Sequence, residues 1–367
     1  MKLHINKSDL ISALNYVSKA VSSKTTNTSL EGIYLSCENN ILTLFATDLE
    51  MSIHTHVDVE MLQSGSAVVP SRIFIEIIRK LPSEKISIET DDANKMHIAS
   101  DESQINIHVQ STANYPSIPS IAATDYMILE SEKLKRAIRE TIFAAAIDAQ
   151  MPVLTGLLLE VKKDQFQLTA LDGYRMAIRK EAIEDGLEFS CIIPARVLSE
   201  LYKILNMESN GDVMIKYAEK SVHFTIGDTI LISNLIGGNF IKYNDIIPKN
   251  SNLTVKTAAR KLLDACERAS LVAREGKNNL IKFHFEEREF HIVSNSEVGS
   301  ANEYVESEIQ GGDLKISFNS KYFIDVLKNT SEEMVEMYFI DNLSPCVVKK
   351  PGSEEMLHVI LPVRYKD

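Results

Sequence analysis

Two carboxylates with one residue between them, Asp48 and Glu50 in the run Ala46-Thr47-Asp48-Leu49-Glu50 of this 367-residue sequence, could do chemistry. Such a pair can share a divalent cation for phosphoryl transfer, but a two-metal site needs further carboxylates, which this neighbourhood does not supply. His54 and His56 could hold a metal from one strand face; with no cysteine or carboxylate cluster after them they read as a solvated pair. Asp172 beside Gly173 has the composition of a turn. No Gly-x-x-x-x-Gly-Lys-Ser/Thr loop and no Gly-x-Gly-x-x-Gly run is present, so nothing supports nucleotide hydrolysis or dinucleotide binding. Cys37, Cys191, Cys266 and Cys346 are scattered, which predicts reduced core thiols rather than a zinc site or a disulfide framework. The expectation is no metal, no cofactor and no catalysis by the chain alone.

The elements that carry these residues recur. Leu42–Ile53, Phe166–Ile178 and Phe290–Ala301 are each an apolar alternating run, a polar turn and more strand; anchored on Asp48, Asp172 and Asn295 they are spaced by 124 and 123 residues. Val68–Leu81, Ile192–Leu205 and Ser317–Asn329 are each a short strand, a break and an amphipathic helix; anchored on Pro70, Pro194 and Asn319 their spacings are 124 and 125. A third set, Leu3–Val21, Met127–Ala146 and Leu253–Val272, opens each unit with a strand and a helix, for which Ser8 and Thr257 are candidate N-caps. Three marks in one register predict three repeats. Their boundaries fall in the turn-rich stretches 115–125 and 243–252, giving domains 1–122, 126–247 and 248–367. Each repeat reads as α+β: two helices packed on antiparallel sheets.

Charge is unevenly placed. The chain carries −12 overall, which by itself argues against binding to phosphates. The six helical segments nevertheless hold seventeen basic and eight acidic residues, about +9, leaving about −21 elsewhere. Helices gathered on one concave side would form a basic lining for a polyanion, and such a surface touches backbone rather than bases. The N-terminus has no apolar leader and no run approaches a membrane span, so a cytoplasmic protein without a membrane partner is expected. Two rival readings stay open: a nuclease or polymerase subunit dependent on a divalent metal, and a repeat scaffold that ignores DNA.

Over its whole length the chain strongly resembles the beta subunits of bacterial DNA polymerase III, the sliding clamps. The resemblance is carried by Ala46-Thr47-Asp48-Leu49-Glu50, Val69-Pro70-Ser71-Arg72, Arg79-Lys80-Leu81-Pro82 and Ala113-Asn114-Tyr115-Pro116, then by Thr169–Ala177 and Ile193-Pro194-Ala195-Arg196. Phe318-Asn319, Tyr322 and the tail Leu361-Pro362-Val363-Arg364 complete it. It implies a clamp fold, a head-to-tail homodimeric ring around double-stranded DNA, and partners comprising the polymerase III alpha subunit, other polymerases, a clamp loader and repair proteins. Loading should need that separate ATP-driven loader. It further implies a peptide pocket built from Leu154, Leu171, Gly173, Tyr174, Arg175, Met176, Ile241, Ile246, Tyr322, Val359, Leu361, Pro362, Val363 and Arg364. The DNA-facing residues would be Lys24, Arg72, Lys80, Arg136 and Arg196, and the subunit contacts Ile105 and Ile107 against Leu271 and Val272. The chain departs from the family pattern at Asn27-Thr28-Ser29-Leu30, at Phe240-Ile241 in place of Phe-Pro, at Asp245, and at Lys366 and Asp367, which extend the usual end.

Overall fold

The computed structural model describes residues 1–22, 26–120, 125–147, 150–184, 186–207, 211–276 and 278–364. Those residues form six α-helices: α1 (Lys7–Val17), α2 (Ser71–Lys80), α3 (Ser131–Thr141), α4 (Ala195–Leu205), α5 (Ala259–Ala273) and α6 (Ser320–Asn329). Each is entered directly from a strand, two per repeat, as the periodicity predicts. Helix α2 shows why. Phe74, Ile77 and Ile78 recur on one face and are buried, while Arg72, Arg79 and Lys80 stay outside. Its stop is Leu81-Pro82, because a residue before proline is steered out of the helical region.

The expected caps are not the observed ones. Helix α1 starts at Lys7 with Asn6 as N-cap, so Ser8 lies inside the first turn. Helix α5 is capped by Ala258, and the Thr257 hydroxyl donates instead to the Glu306 carbonyl. A side-chain cap does form at α6, where Asn319 accepts from the Lys321 amide at 3.0 Å.

The strands pair antiparallel in four sheets. A five-stranded sheet orders Glu60–Gln63, Lys2–Asn6, Lys85–Thr90, Lys95–Ser100 and Ser103–His108. An eight-stranded sheet runs from Met127–Glu130 to Gly65–Pro70, and a nine-stranded sheet from Phe189–Pro194 to Ser307–Gly311. The fourth has four strands, with Gly299–Tyr304 at one edge and Leu314–Asn319 at the other. The chain divides into two compact bodies: residues 1–131 with 203–235, which hold the first two sheets, and residues 132–202 with 236–367, which hold the other two. The middle repeat contributes to both.

The two larger sheets obey one rule. The strand after the Asp48 turn, Met51–Asp58, pairs with the last strand of the middle repeat, Thr229–Asn234. The strand after the Asp172 turn, Arg175–Ala182, pairs with the last strand of the final repeat, Met356–Ile360. The third counterparts, Gly299–Tyr304 and Ser103–His108, are both sheet edges. All four cysteines are buried and unbridged, and burial pushes the Cys191 thiol up to about 12.

Candidate functional site

The turn 172–174 organises the second body. Asp172 Oδ1 accepts from the amides of Tyr174 (2.9 Å) and Arg175 (3.0 Å), and Gly173 takes φ +91° with open space where a Cβ would point. The turn leads into Arg175–Ala182, whose side chains alternate. Met176 and Ile178 face an apolar cluster; Arg175, Arg179 and Glu181 face the other side of the sheet.

On the apolar side the structure unites Leu154, Leu171, Met176 and Val359 with Val153, Leu158, Ile192, Val347 and Leu357. Ile241 packs against this cluster, as do Phe240 and Ile247. Ile246 does not belong to it: it is 41% exposed after the short turn Tyr243–Asp245, and its neighbour Ile247 packs instead. Beneath lies a polar knot in which Tyr243 donates to Glu160 (2.5 Å) and accepts from Gln167 (2.6 Å). Burial and Glu160 push the Tyr243 hydroxyl up to about 12.

The chain end runs along this region. The Leu361 amide donates to the Tyr174 carbonyl at 2.9 Å and the Val363 amide to the Ser317 carbonyl at 2.8 Å. Leu361, Pro362 and Val363 are half-buried and Arg364 is exposed. Tyr174, 62% exposed, stacks on Tyr322 with ring centroids 6.3 Å apart. Arg175 lies over Tyr322 and spends its three nitrogens on Asp172, Asp325 and the Phe143 carbonyl. The result is a buried apolar cluster containing Met176 and Val359, with Tyr174, Tyr322 and Arg175 beside the half-buried segment Leu361–Val363. That composition suits short apolar side chains from an extended peptide.

Of the contributors that the sequence reading missed, Val347 lies directly across from Val359. Its signal was ambiguous, because Cys346-Val347-Val348 is a continuous apolar run without alternation.

The other side of Arg175–Ala182 is ionic. Arg136 on α3 makes a bidentate pair with Glu181 (2.6 and 2.7 Å). Arg179, 3% exposed, joins Glu181 to Glu140, which also accepts from Ser331. Arg136 is therefore tied down, where a freely presented cation was expected. Arg72, with 94% of its side chain exposed, Lys80 and Arg196 are outside. Lys24, Lys366 and Asp367 lie outside the described residues.

Ile105 and Ile107 sit half-buried on the edge strand Ser103–His108, pairing with Ile98 and Met96. In the second body, Leu271, 64% exposed, and Val272 are near the end of α5, which packs on Glu289–Ser296 and on the edge strand Gly299–Tyr304. Asp48 and Glu50 prove to be turn residues rather than neighbours on a strand: Asp48 Oδ1 accepts from the amides of Glu50 (3.1 Å) and Met51 (2.8 Å). His56 bonds Thr43, and no group of three potential metal ligands occurs among the described residues. None of their helices is long and apolar enough to cross a membrane.

Comparison with known proteins gives one answer along the chain. Residues 1–119, 128–242 and 244–364 match the N-terminal, central and C-terminal domains of the DNA polymerase III beta subunit. Beta sliding clamps of Staphylococcus epidermidis and Staphylococcus aureus are 34% and 33% identical, over 99% of this chain and 99% of theirs. The DNA polymerase sliding clamp of Bacillus subtilis superposes with a TM-score of 0.96 at 32% identity, covering 100% of both chains. The DNA polymerase III beta subunit of Thermotoga maritima gives 0.93 at 26%, with the same coverage. Repeat, turn and match agree, and the chain belongs to the DNA polymerase III beta subunit family, the beta sliding clamps.

Proposed function

We propose that the groove around Met176 and Val359 is where partner proteins are held, and that two copies of the chain close head to tail around duplex DNA. As a family member the chain is a DNA sliding clamp, a non-catalytic subunit that tethers the polymerase. The partners we assign are the polymerase III alpha subunit, other polymerases, the clamp loader and repair proteins, in the cytoplasm. They would insert short apolar motifs among Leu154, Leu171, Tyr174, Met176, Ile241, Val359, Pro362 and Val363, with Gly173 leaving space, Arg175, Tyr322 and Arg364 at the rim and exposed Ile246 at the mouth. The repeats 1–122, 126–247 and 248–367 are the units of the ring.

Closure rests on the pairing rule. Two of three equivalent strand pairings are made within the chain, and the strands of the third are left as edges. A second copy supplies what is missing: Ser103–His108 with Ile105 and Ile107 on one chain, and Gly299–Tyr304 with Leu271 and Val272 on the other. Such a heterologous contact closes into a ring. Arg72, Lys80 and Arg196, with Lys24, would meet phosphates. Arg136, already neutralised by Glu181, contributes less than the sequence alone would give it.

The carrying observation is the apolar cluster around Met176 and Val359 with the half-buried segment Leu361–Val363 beside it, and its test is a fluorescence titration with a Gln-Leu-x-Leu-Phe peptide. Wild type should bind saturably, and Met176→Asp with Val363→Asp should weaken binding at least about a hundredfold, as losing a central anchor does. Equal affinity in the two proteins would refute the assignment.

A further inference from the structure

The first body contains a counterpart of the Asp172 turn and its strand pairing, and no part of the proposed function uses that turn. The Asp48 turn reproduces the backbone bonds of the Asp172 turn: Asp48 Oδ1 caps two amides, and Leu49 takes φ +76° where Gly173 takes +91°. The Asn234 amide donates to the Glu50 carbonyl at 2.9 Å, as Leu361 does to Tyr174. Tyr115 is buried below the loop 115–120 as Tyr243 is below 243–247.

The fillings differ. Ser52 stands for Met176 and Ile232 for Val359. Where the second body has a methionine, the first has a cavity of about 100 Å³, bounded by Thr47, Leu49, Ser52, Pro116, Pro119 and Ile232. For scale, a cavity of roughly 150 Å³ admits benzene, so this one fits about one valine side chain.

Two features point outward to a ligand. Leucine rarely adopts positive φ, yet Leu49 is held there by its amide bond to Thr47 Oγ1 (3.0 Å) and by Asn234 Nδ2 on its carbonyl (2.6 Å). So held, its side chain is 59% exposed at the cavity's mouth. Glu50, exposed, occupies the place of Tyr174, so this rim is acidic where the other carries Arg175 and Arg364.

We propose that the first body carries a second docking groove, which takes an extended peptide presenting one valine-sized side chain between basic residues. The proposal rests on the groove reading of the second body for its analogy, not for its test. Methyl-labelled full-length protein carrying Met176→Asp and Val363→Asp, which closes the other groove, is titrated with acetyl-Gly-Lys-Val-Lys-Gly-amide. Saturable shifts of the Leu49 and Ile232 methyls are expected, with a dissociation constant of about 0.1–1 mM for a single anchor. Glu50→Lys, with folding checked by its thermal midpoint, should weaken binding at least about tenfold, and the Glu-for-Lys peptide should not bind. Unmoved Leu49 and Ile232 methyls, or shifts indifferent to Glu50→Lys, overturn the proposal. The Gln-Leu-x-Leu-Phe peptide on wild type, read at the Met176 and Val359 methyls, separately reports the fate of the first groove.

Discussion

Arg175 ties the Asp172 turn to its surroundings, because its side chain is 8% exposed and its guanidinium holds two carboxylates and a carbonyl at once. Arg175→Ala would leave Asp172 and Asp325 repelling each other; about 3 kcal/mol should be lost, read as a lower urea midpoint. Arg175→Lys should recover only part of it, since an ammonium cannot span three acceptors in one plane. His358, on the same face of the sheet between Arg175 and Arg179, is 1% exposed, and neither ring nitrogen has a partner among the described residues. Burial first, and then those two arginines, hold its pKa down to about 3. An unfolded histidine titrates near ~6.5. Its neutral burial therefore contributes stability that is intact above that pH and is lost as pH falls toward 3. His358→Phe should flatten the decline of the urea midpoint between about pH 6.5 and 4; an unchanged slope would exonerate this residue. Neither role was legible in the sequence, because the partners of Arg175 come from sequence separations as large as 150 residues.

At the scale of elements, all six helices and their leading strands could be read from periodicity, and the structure returns each one. The caps could not, because side-chain capping competes with alternative bonds such as Thr257 to Glu306. Nor could the charge reading tell a cation presented outward from one consumed by an ion pair. Arg268 meets Glu303, Lys261 meets Glu306 and Arg136 meets Glu181, all acids outside the helices, so the excess counted on the helices overstates what a phosphate would feel. Substituting Arg72, Lys80 and Arg196 together by alanine should lower the slope of log affinity against log salt by up to about 0.9 for each phosphate no longer neutralised, with Arg72 giving less than that because Glu76 lies 3.5 Å from it. Arg136→Ala should change that slope less than any one of them, and should instead lower stability by leaving the buried Glu181 with Arg179 as its remaining cation partner among the described residues. DNA anisotropy across a salt series, beside a urea titration, separates the two effects.

The three-fold repetition was visible in the whole chain because its turns keep their spacing to within one or two residues. The division into two bodies was not, because it follows strand pairings that join residues of different repeats. At this scale the prediction concerns assembly: Ile105→Asp with Leu271→Asp should shift the sedimenting mass from two chains to one. The peptide titration should be unaffected, since the groove lies within one body. Those same pairings set a timetable for synthesis. Thr55 and Thr229, hydrogen-bonded in the eight-stranded sheet, are 174 residues apart. With translation at roughly 5–20 residues per second, Met51–Asp58 emerges some 9–35 seconds before its partner exists. During that interval a growing chain displays an unpaired strand edge, and neighbouring ribosomes display identical ones. The nascent N-terminal repeat is thus the vulnerable stage in this protein's life, and slow codons between the two strands would prolong its exposure.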